Sequence, residues 1–243
     1  MYSKKPSKLN FSVILPTYNE NGNIPRLIRL VDEQLKNYSR EIIVVDDFSP
    51  DGTWKTAQKL KSKYKSLKVI VRKQNHGLAL SIKEGILKSK GDVLIIMDSD
   101  LSHPPRFLPT LVNEIMKNDV VVASRFVKSG RMVYGSTLPV YASKFINFFV
   151  RTLLRLNISD VTGGFFAIRR KVLDKVNINK IFKFYGDYFF HLMYDLKGSN
   201  LRIKEIPFTY EPRLTGRSKT RLLRVGFLYV REVLKIIMNK SKV

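Results

Sequence analysis

Short apolar runs alternate with helical stretches along the first 135 residues of the chain. The apolar runs predict five strands, at residues 11–16, 41–47, 67–72, 92–98 and 119–125. Apolar residues spaced three to four apart predict the intervening helices, at Ile24–Leu35, from about Thr53, at Leu78–Ser89 and before residue 119. Strands that are apolar throughout and separated by helices predict an α/β fold, with a mostly parallel central sheet covered on both faces.

The pattern changes after Arg125. Residues 139–156 mix aromatic and aliphatic groups with basic ones, which predicts an amphipathic helix or a plain core helix. Residues 160–170 predict a tight glycine loop followed by a strand. Residues 221–238 predict a basic amphipathic helix, which suits either the surface of an anionic membrane or packing on the domain.

The chain divides into a basic tail at 1–10, one α/β domain at 11–219 and the C-terminal helix at 220–243. No apolar run reaches the roughly 20 residues of a spanning helix, and the N-terminus lacks the apolar core of a signal peptide. We therefore expect a cytoplasmic protein that lies peripherally on a membrane.

Polar residues stand where the predicted strands end. In order of the strands they are Thr17, Asn19 and Glu20, then Asp46 and Asp47, then Arg72 and Asn75, then Asp98 and Asp100. Ligands of parallel α/β sheets bind beyond the carboxyl ends of the strands, so these residues predict one binding site.

Asp98 and Asp100 follow the fourth strand and are two residues apart, so both carboxylates can face one ligand. Such close carboxylates repel unless a cation lies between them, and hard oxygen ligands favour Mg²⁺ or Mn²⁺. We predict a metal site of Asp98, Asp100 and Ser102. The alternative is that the two aspartates cap the following helix.

Two other strand ends predict nucleotide contacts. Asp46 and Asp47 are placed to accept hydrogen bonds from a base or ribose, although helix capping would also explain acidic residues there. In the segment 15–20, Tyr18 is an exposed aromatic that can pack on a base, and Glu20 is a further acceptor. A simple turn is the alternative for that segment.

Composition narrows the candidate ligands. The chain has 44 basic and 20 acidic residues, a net charge of +24, which favours nucleic acid, an anionic membrane or phosphorylated substrates, or serves solubility alone. The absence of cysteine excludes disulfides and thiolate metal sites, and three scattered histidines make a zinc site improbable.

The segments PTYNE, DDFSPDGT, NHGLALSIKEGI, DSDLSHPP, SRF and GRSK occur in this order between residues 11 and 219. In this respect the chain resembles the family-2 glycosyltransferases of the GT-A fold, a Rossmann-like nucleotide-diphospho-sugar transferase fold. It is most similar to the dolichol- and polyprenol-phosphate mannose synthases, which makes 11–219 the catalytic domain.

The resemblance implies transfer of mannose, with inversion, from GDP-mannose to dolichyl or polyprenyl phosphate, aided by Mg²⁺ or Mn²⁺. It also implies a membrane surface or a small membrane-anchoring subunit as partner. The alternatives are a UDP-sugar donor such as UDP-glucose, or a saccharide acceptor. A nucleic-acid-binding protein would leave the carboxylate-rich strand ends unexplained, because they repel a polyphosphate.

The resemblance also assigns residues. The donor nucleotide would contact Pro16, Tyr18, Glu20, Asp46, Asp47 and Asp98. The acceptor phosphate would contact Arg125, Arg131, Ser143, Arg213 and Lys219. Asp98, Asp100, Arg125 and Arg213 would be catalytic. The chain departs from the family at Pro139, where a basic residue is common, at Phe48, where glycine is usual, and at His191, where an acidic residue is common.

Overall fold

A computed structural model of the chain describes residues 9–133, 138–183, 186–213 and 222–240. Its strands are β1 (Asn10–Thr17), β2 (Ser39–Asp46), β3 (Leu67–Val71), β4 (Val93–Ile96), β5 (Val120–Ser124), β6 (Arg131–Met132), β7 (Phe166–Arg169), β8 (Ile203–Pro207) and β9 (Thr209–Tyr210). Its helices are α1 (Ile24–Gln34), α2 (Thr53–Leu60), α3 (Leu78–Lys88), α4 (Leu108–Ile115), α5 (Leu138–Leu153), α6 (Arg170–Leu173), α7 (Ile178–Ile181), α8 (Tyr188–Asp195) and α9 (Leu222–Lys240).

Seven strands form the central sheet in the order β3-β2-β1-β4-β7-β5-β8, and β6 pairs with β9 in a small second sheet. All neighbouring pairs in the central sheet are parallel except those made by β7, which runs antiparallel to β4 and β5. The mostly parallel α/β sheet predicted from the apolar pattern is therefore confirmed.

The direction and place of β7 were not predicted. The loop before it contains Gly163 and Gly164, and a Cβ at Gly164 would lie 4.0 Å from the Asp98 carboxylate, at the carboxyl edge of the sheet. A strand that leaves this edge must run back through the sheet, which makes β7 antiparallel to its neighbours.

Two apolar cores cover the two faces of the sheet. Successive residues of β1 point to opposite faces, so that Val13 and Leu15 join the core under α1 and α4, while Ile14 joins the core under α3, α8 and α9. Both faces of β4 and β5 are fully buried, as expected for interior strands. The helices thus fix the strand ends that carry the polar residues.

Candidate active site

One pocket of about 1010 Å³ opens at the carboxyl edge of the sheet. It brings together residues that are far apart in the sequence, as expected from the polar strand ends. The predicted site residues that line it are Pro16, Tyr18, Glu20, Asp47, Asp98, Asp100, Arg125, Ser143 and Arg213. Tyr18 is 44% exposed at the pocket, in agreement with the exposed aromatic expected there.

The four loops that follow β1 to β4 each contain one non-glycine residue in the left-handed region. These residues are Asn19 (φ 56°), Phe48 (φ 51°), Asn75 (φ 53°) and Leu101 (φ 67°). Asparagine tolerates this conformation, but for Phe48 and Leu101 it costs about 1–3 kcal/mol each. The surrounding contacts of the loops must offset that cost.

Asp98 lies on the pocket floor and contacts the buried His103. The Asp98 N–H donates to His103 Nδ1 at 2.9 Å, and His103 Nε2 lies 3.7 Å from the Asp98 carboxylate. The imidazole is buried and stacks on Phe165 at 5.0 Å, and this burial lowers the pKa of His103, so the ring is neutral near pH 7. Burial, and next the Asp100 charge, raise the pKa of Asp98.

Each carboxylate oxygen of Asp100 has a partner residue. Its Oδ2 pairs with Arg213 Nε at 2.8 Å, and its Oδ1 accepts from the backbone N–H and the hydroxyl of Ser102. Ser102 has no exposed surface and does not line the pocket. The Ser102 hydroxyl orients Asp100 in this structure, and its role as a metal ligand stays a prediction.

Asp46 also turns away from the pocket. Its carboxylate is completely buried and accepts from the hydroxyls of Thr17 and Ser49 and from the Ser49 N–H. Asp46 thus holds the loop after β2, and its direct contact with a nucleotide stays a prediction. Asp51 accepts from the Thr53 N–H at the start of α2, at 3.0 Å.

Asp47 belongs to a hydrogen-bonded group at the pocket wall. Its carboxylate pairs with Arg72 and accepts from the Ser81 hydroxyl and from the Gly77 N–H. These contacts join the loops after β2 and β3 to the start of α3. Asp47 lines the pocket while carrying these bonds, and its contact with a nucleotide stays a prediction.

Arg125 is fixed by a fully buried carboxylate. Its Nε and Nη2 donate to the two oxygens of Asp160, each at 2.7 Å, and Nη2 also donates to Thr162 at 2.9 Å. Asp160 and Thr162 belong to the glycine-containing loop that precedes β7. Thr162 lines the pocket, whereas Asp160 has no exposed surface and serves to orient Arg125.

Two acceptor-phosphate candidates, Arg131 and Lys219, are not placed at the pocket by the described residues. Arg131 begins β6, is exposed and does not line the pocket, so its expected phosphate contact is not supported by its position. Pro139 and Ser143 line the pocket one helical turn apart on α5. Lys219 lies in residues 214–221, outside the described residues.

Sequence patterns missed two tyrosines that line the pocket. Tyr188 starts α8 and Tyr229 lies on α9, and both rings are nearly buried, so their helical spacing indicated core packing. Burial raises the pKa of Tyr188 well above its usual value, so its hydroxyl stays protonated. A Cβ at Gly164 would lie 2.7 Å from that hydroxyl, which explains the need for glycine there.

A second polar cluster joins α8 to α9 away from the pocket. Ligand atoms of Asp187, His191 and Glu232 lie within 4.8 Å of one another. Glu232 already pairs with Lys235 at 2.9 Å and with Arg231 at 3.0 Å. Because these cations satisfy the Glu232 carboxylate, the cluster is a helix-to-helix contact and does not require a metal ion.

The chain matches a known protein family over most of its length. A model of glycosyl transferase family 2 matches residues 12–176. The chain is 37% identical to a dolichol-phosphate mannosyltransferase of Pyrococcus furiosus over 97% of its own length and 66% of that protein. It is 35% identical to an undecaprenyl-phosphate mannosyltransferase of Micrococcus luteus over 85% of both chains. The chain belongs to glycosyl transferase family 2.

Solved structures place the chain among the GT-A glycosyltransferases by fold. A glucosyl-3-phosphoglycerate synthase from Mycobacterium tuberculosis, solved with Mn²⁺, UDP and glucosyl-3-phosphoglycerate, has a TM-score of 0.66 and 19% identity, covering 97% of this chain and 81% of that one. A mannosyl-3-phosphoglycerate synthase from Rubrobacter xylanophilus has a TM-score of 0.68 and 16% identity, covering 97% of this chain and 76% of that one.

Within the described ranges, no helix is long and apolar enough to cross a bilayer.

Proposed function

We propose that this chain transfers mannose from GDP-mannose to the phosphate of dolichyl or another polyprenyl phosphate. The observation that carries the proposal is a pocket with three kinds of wall: carboxylates at Asp98 and Asp100, guanidinium groups at Arg125 and Arg213, and apolar side chains on α5 and α9. A lipid phosphate needs guanidinium groups for its phosphate and apolar side chains for the hydrocarbon next to it. The names of the relatives, mannosyltransferases that act on lipid phosphates, agree with this combination.

The donor side of the pocket fits a divalent cation. Asp98 presents a carboxylate that is 36% exposed into the pocket, and the proximity of Asp100 makes the pair unfavourable without a positive charge. Arg213 supplies such a charge on Asp100. We assign Asp98, with Asp100, to hold Mg²⁺ or Mn²⁺, which when bound neutralises the nucleoside diphosphate that leaves the sugar.

The acceptor needs no general base in this reaction. A lipid phosphate is an anionic nucleophile already, whereas a sugar hydroxyl would have to lose a proton. His103 is neutral, but its Nδ1 accepts from the Asp98 N–H, so it positions the loop. Arg125 and Arg213 orient the phosphate oxygens by charge-assisted hydrogen bonds. Direct attack of the phosphate on the anomeric carbon inverts its configuration and gives the β-linked product.

An exposed apolar surface lies next to the pocket, and we call it the membrane-facing surface after the role proposed for it below. On α5 it exposes Leu138, Tyr141, Phe145 and Phe148, and on α9 it exposes Phe227, Val230, Leu234, Ile237 and Met238. The two helices pack against each other, and Lys144, Arg151, Arg231 and Lys235 add positive charge to them. Large exposed apolar patches mark interaction sites, and basic amphipathic helices suit anionic bilayers. We propose that this membrane-facing surface binds the cytoplasmic leaflet peripherally.

The direct test is a transfer assay with GDP-mannose, Mg²⁺ or Mn²⁺, and a polyprenyl phosphate. We expect lipid-linked mannose from the wild type and its loss when the divalent ion is chelated. Asp98→Asn removes the exposed carboxylate and should lower kcat about 100-fold or more. Glu211→Gln is the matched control, because Glu211 is a carboxylate that pairs with Arg106 beside the pocket without lining it.

Three outcomes would contradict the proposal. Full transfer by Asp98→Asn, or transfer in the presence of a chelator, would reject the metal assignment. Release of UDP from a UDP-sugar without reaction of GDP-mannose would reject the donor. Transfer to a saccharide but not to the lipid phosphate would reject the acceptor.

A further inference from the structure

Helix α9 has a second face that turns inward. On this face Val233 is fully buried, and Tyr229 is nearly buried and lines the pocket. Gly226, one turn earlier, packs on α5: a Cβ there would meet the Ile146 side chain at 3.4 Å, and Ile146 also lines the pocket. The helix that exposes an apolar surface on one side therefore supplies part of the pocket wall on the other.

We propose that Tyr229 is a specificity-determining residue of the acceptor site, against which the first isoprene units of the lipid acceptor pack. This inference rests on the proposed function, because it names the part of the pocket that receives the hydrocarbon next to the phosphate. It makes α9 a component of the substrate site as well as a membrane contact.

The position of Tyr229 within the pocket favours the acceptor over the donor. The nucleotide side is formed by the loops after β1 to β4, with Asp47 and Ser81 at one wall. Tyr188 lies between the nucleotide side and α9. A Cβ added at Gly164 would lie near both the Tyr188 hydroxyl and the Asp98 carboxylate, and Tyr229 is among the groups that raise the pKa of Tyr188. Tyr229 therefore lies on the far side of Tyr188 from the nucleotide loops, on the helix that packs against α5.

The Tyr229 ring is fixed by close contacts, and a side chain that selects a substrate by shape needs such a fixed position. It meets the Phe190 ring edge-on at 5.2 Å, and its hydroxyl fits over Gly186, where a Cβ would lie only 2.5 Å away. Glu232 and His191 join the same two helices one turn further along α9. Aromatic side chains add large contact areas at little cost in conformational entropy, because they have only two rotatable bonds.

The test separates packing in the pocket from membrane binding by using two acceptors. One is a ten-carbon isoprenyl phosphate that is soluble in water, and the other is a long polyprenyl phosphate in anionic vesicles. Tyr229→Ala should raise the KM of both acceptors about tenfold, because the lost ring contacts the part that they share. The Kd for GDP, measured by calorimetry, should stay within about twofold of the wild-type value.

Leu234→Ser on the outer face of α9 is the comparison. It should raise the ratio of the vesicle KM to the soluble KM, whereas Tyr229→Ala should leave that ratio as in the wild type. Tyr229→Leu keeps an apolar side chain and carries the same test if Tyr229→Ala does not fold.

An unchanged KM for the soluble acceptor in the Tyr229 variants would overturn the inference, as would an equal loss of GDP affinity. A wild type that transfers mannose to neither acceptor would instead reject the proposed function.

Discussion

Among the ion pairs that described residues form at the pocket, the Arg125–Asp160 pair is the most deeply buried. The exposed fractions of the two side chains are 10% and 0%. Asp160 accepts from the backbone N–H of Arg125 as well as from its guanidinium group. The pair orients Arg125 towards the pocket, and removal of one partner would leave a buried charge without compensation.

We expect Asp160→Asn to lower the free energy of unfolding by about 3 kcal/mol. The neutral amide cannot balance the buried guanidinium group, and its NH₂ replaces one of the acceptor oxygens. Urea denaturation measures the change. Glu33→Gln is the control, because Glu33 and Arg29 form an ion pair on α1 with about half of each side chain exposed. That variant should change the stability by less than about 0.5 kcal/mol.

A second variant separates charge from shape at this pair. In Asp160→Asn/Arg125→Met the unbalanced charge is absent, so the double variant should recover part of the lost stability. If Asp160→Asn alone is as stable as the wild type, the Asp160 carboxylate does not carry the role that its burial and bonds indicate.

At the scale of elements, the strand-end loops show what could be predicted from the sequence. Strands β1 to β5 and the polar residues at the ends of β1 to β4 were predicted from the sequence, whereas β6, β8 and β9 were not, and the pocket formed where the polar ends meet. The directions of individual side chains did not follow. Asp46 and Ser102 turn inward in loops that contain Phe48 and Leu101 in the left-handed region, and no periodicity encodes that conformation.

The helices reveal a second limit of sequence patterns. Tyr188 and Tyr229 have the spacing of core residues, and both are indeed nearly buried. The part of each side chain that remains accessible lines the pocket, which depends on how α8 and α9 pack. Packing between elements distant in the sequence therefore creates the apolar wall, and an apolar pattern alone cannot distinguish such a wall from the interior.

The contact between α8 and α9 makes a prediction about pH. Burial lowers the pKa of His191 below its ordinary value of 6.5, with Asp187, Glu232 and Asp195 opposing the shift and Lys235 adding to it. Between the lowered pKa and 6.5 the unfolded chain binds more protons than the folded one, so stability falls as the pH falls through this range. His103, whose pKa is also lowered, contributes in the same direction.

We therefore expect His191→Gln to reduce the loss of stability on acidification from about pH 7 to pH 5. Thermal unfolding at several pH values measures the slope. His76→Gln, which replaces an exposed histidine, should keep the wild-type slope. If the stability of His191→Gln depends on pH as steeply as that of the wild type, His191 is not buried as a neutral imidazole between α8 and α9.

At the scale of the whole molecule, the proposed membrane association combines the net charge of +24 with the membrane-facing surface. In that proposal, charge would attract the protein to anionic lipid over about a Debye length, roughly 8–10 Å at physiological salt. Apolar side chains on α5 and α9 then contribute contact with the hydrocarbon boundary. The pocket opens beside this surface, so a bound bilayer would present its phosphates to Arg125, Ser143 and Arg213.

Sedimentation with vesicles tests this surface directly. The protein should bind vesicles with anionic lipid more tightly than neutral ones, and added salt should weaken the binding, because the attraction is electrostatic and screened. Phe145→Ser/Phe148→Ser removes two aromatic rings exposed by 70% and 65% on α5 and should weaken binding about tenfold or more at constant net charge. Leu87→Ser, at an exposed position on α3, should bind as the wild type does. Equal binding by the aromatic variant would show that charge alone holds the protein at the bilayer and that α5 faces away from it.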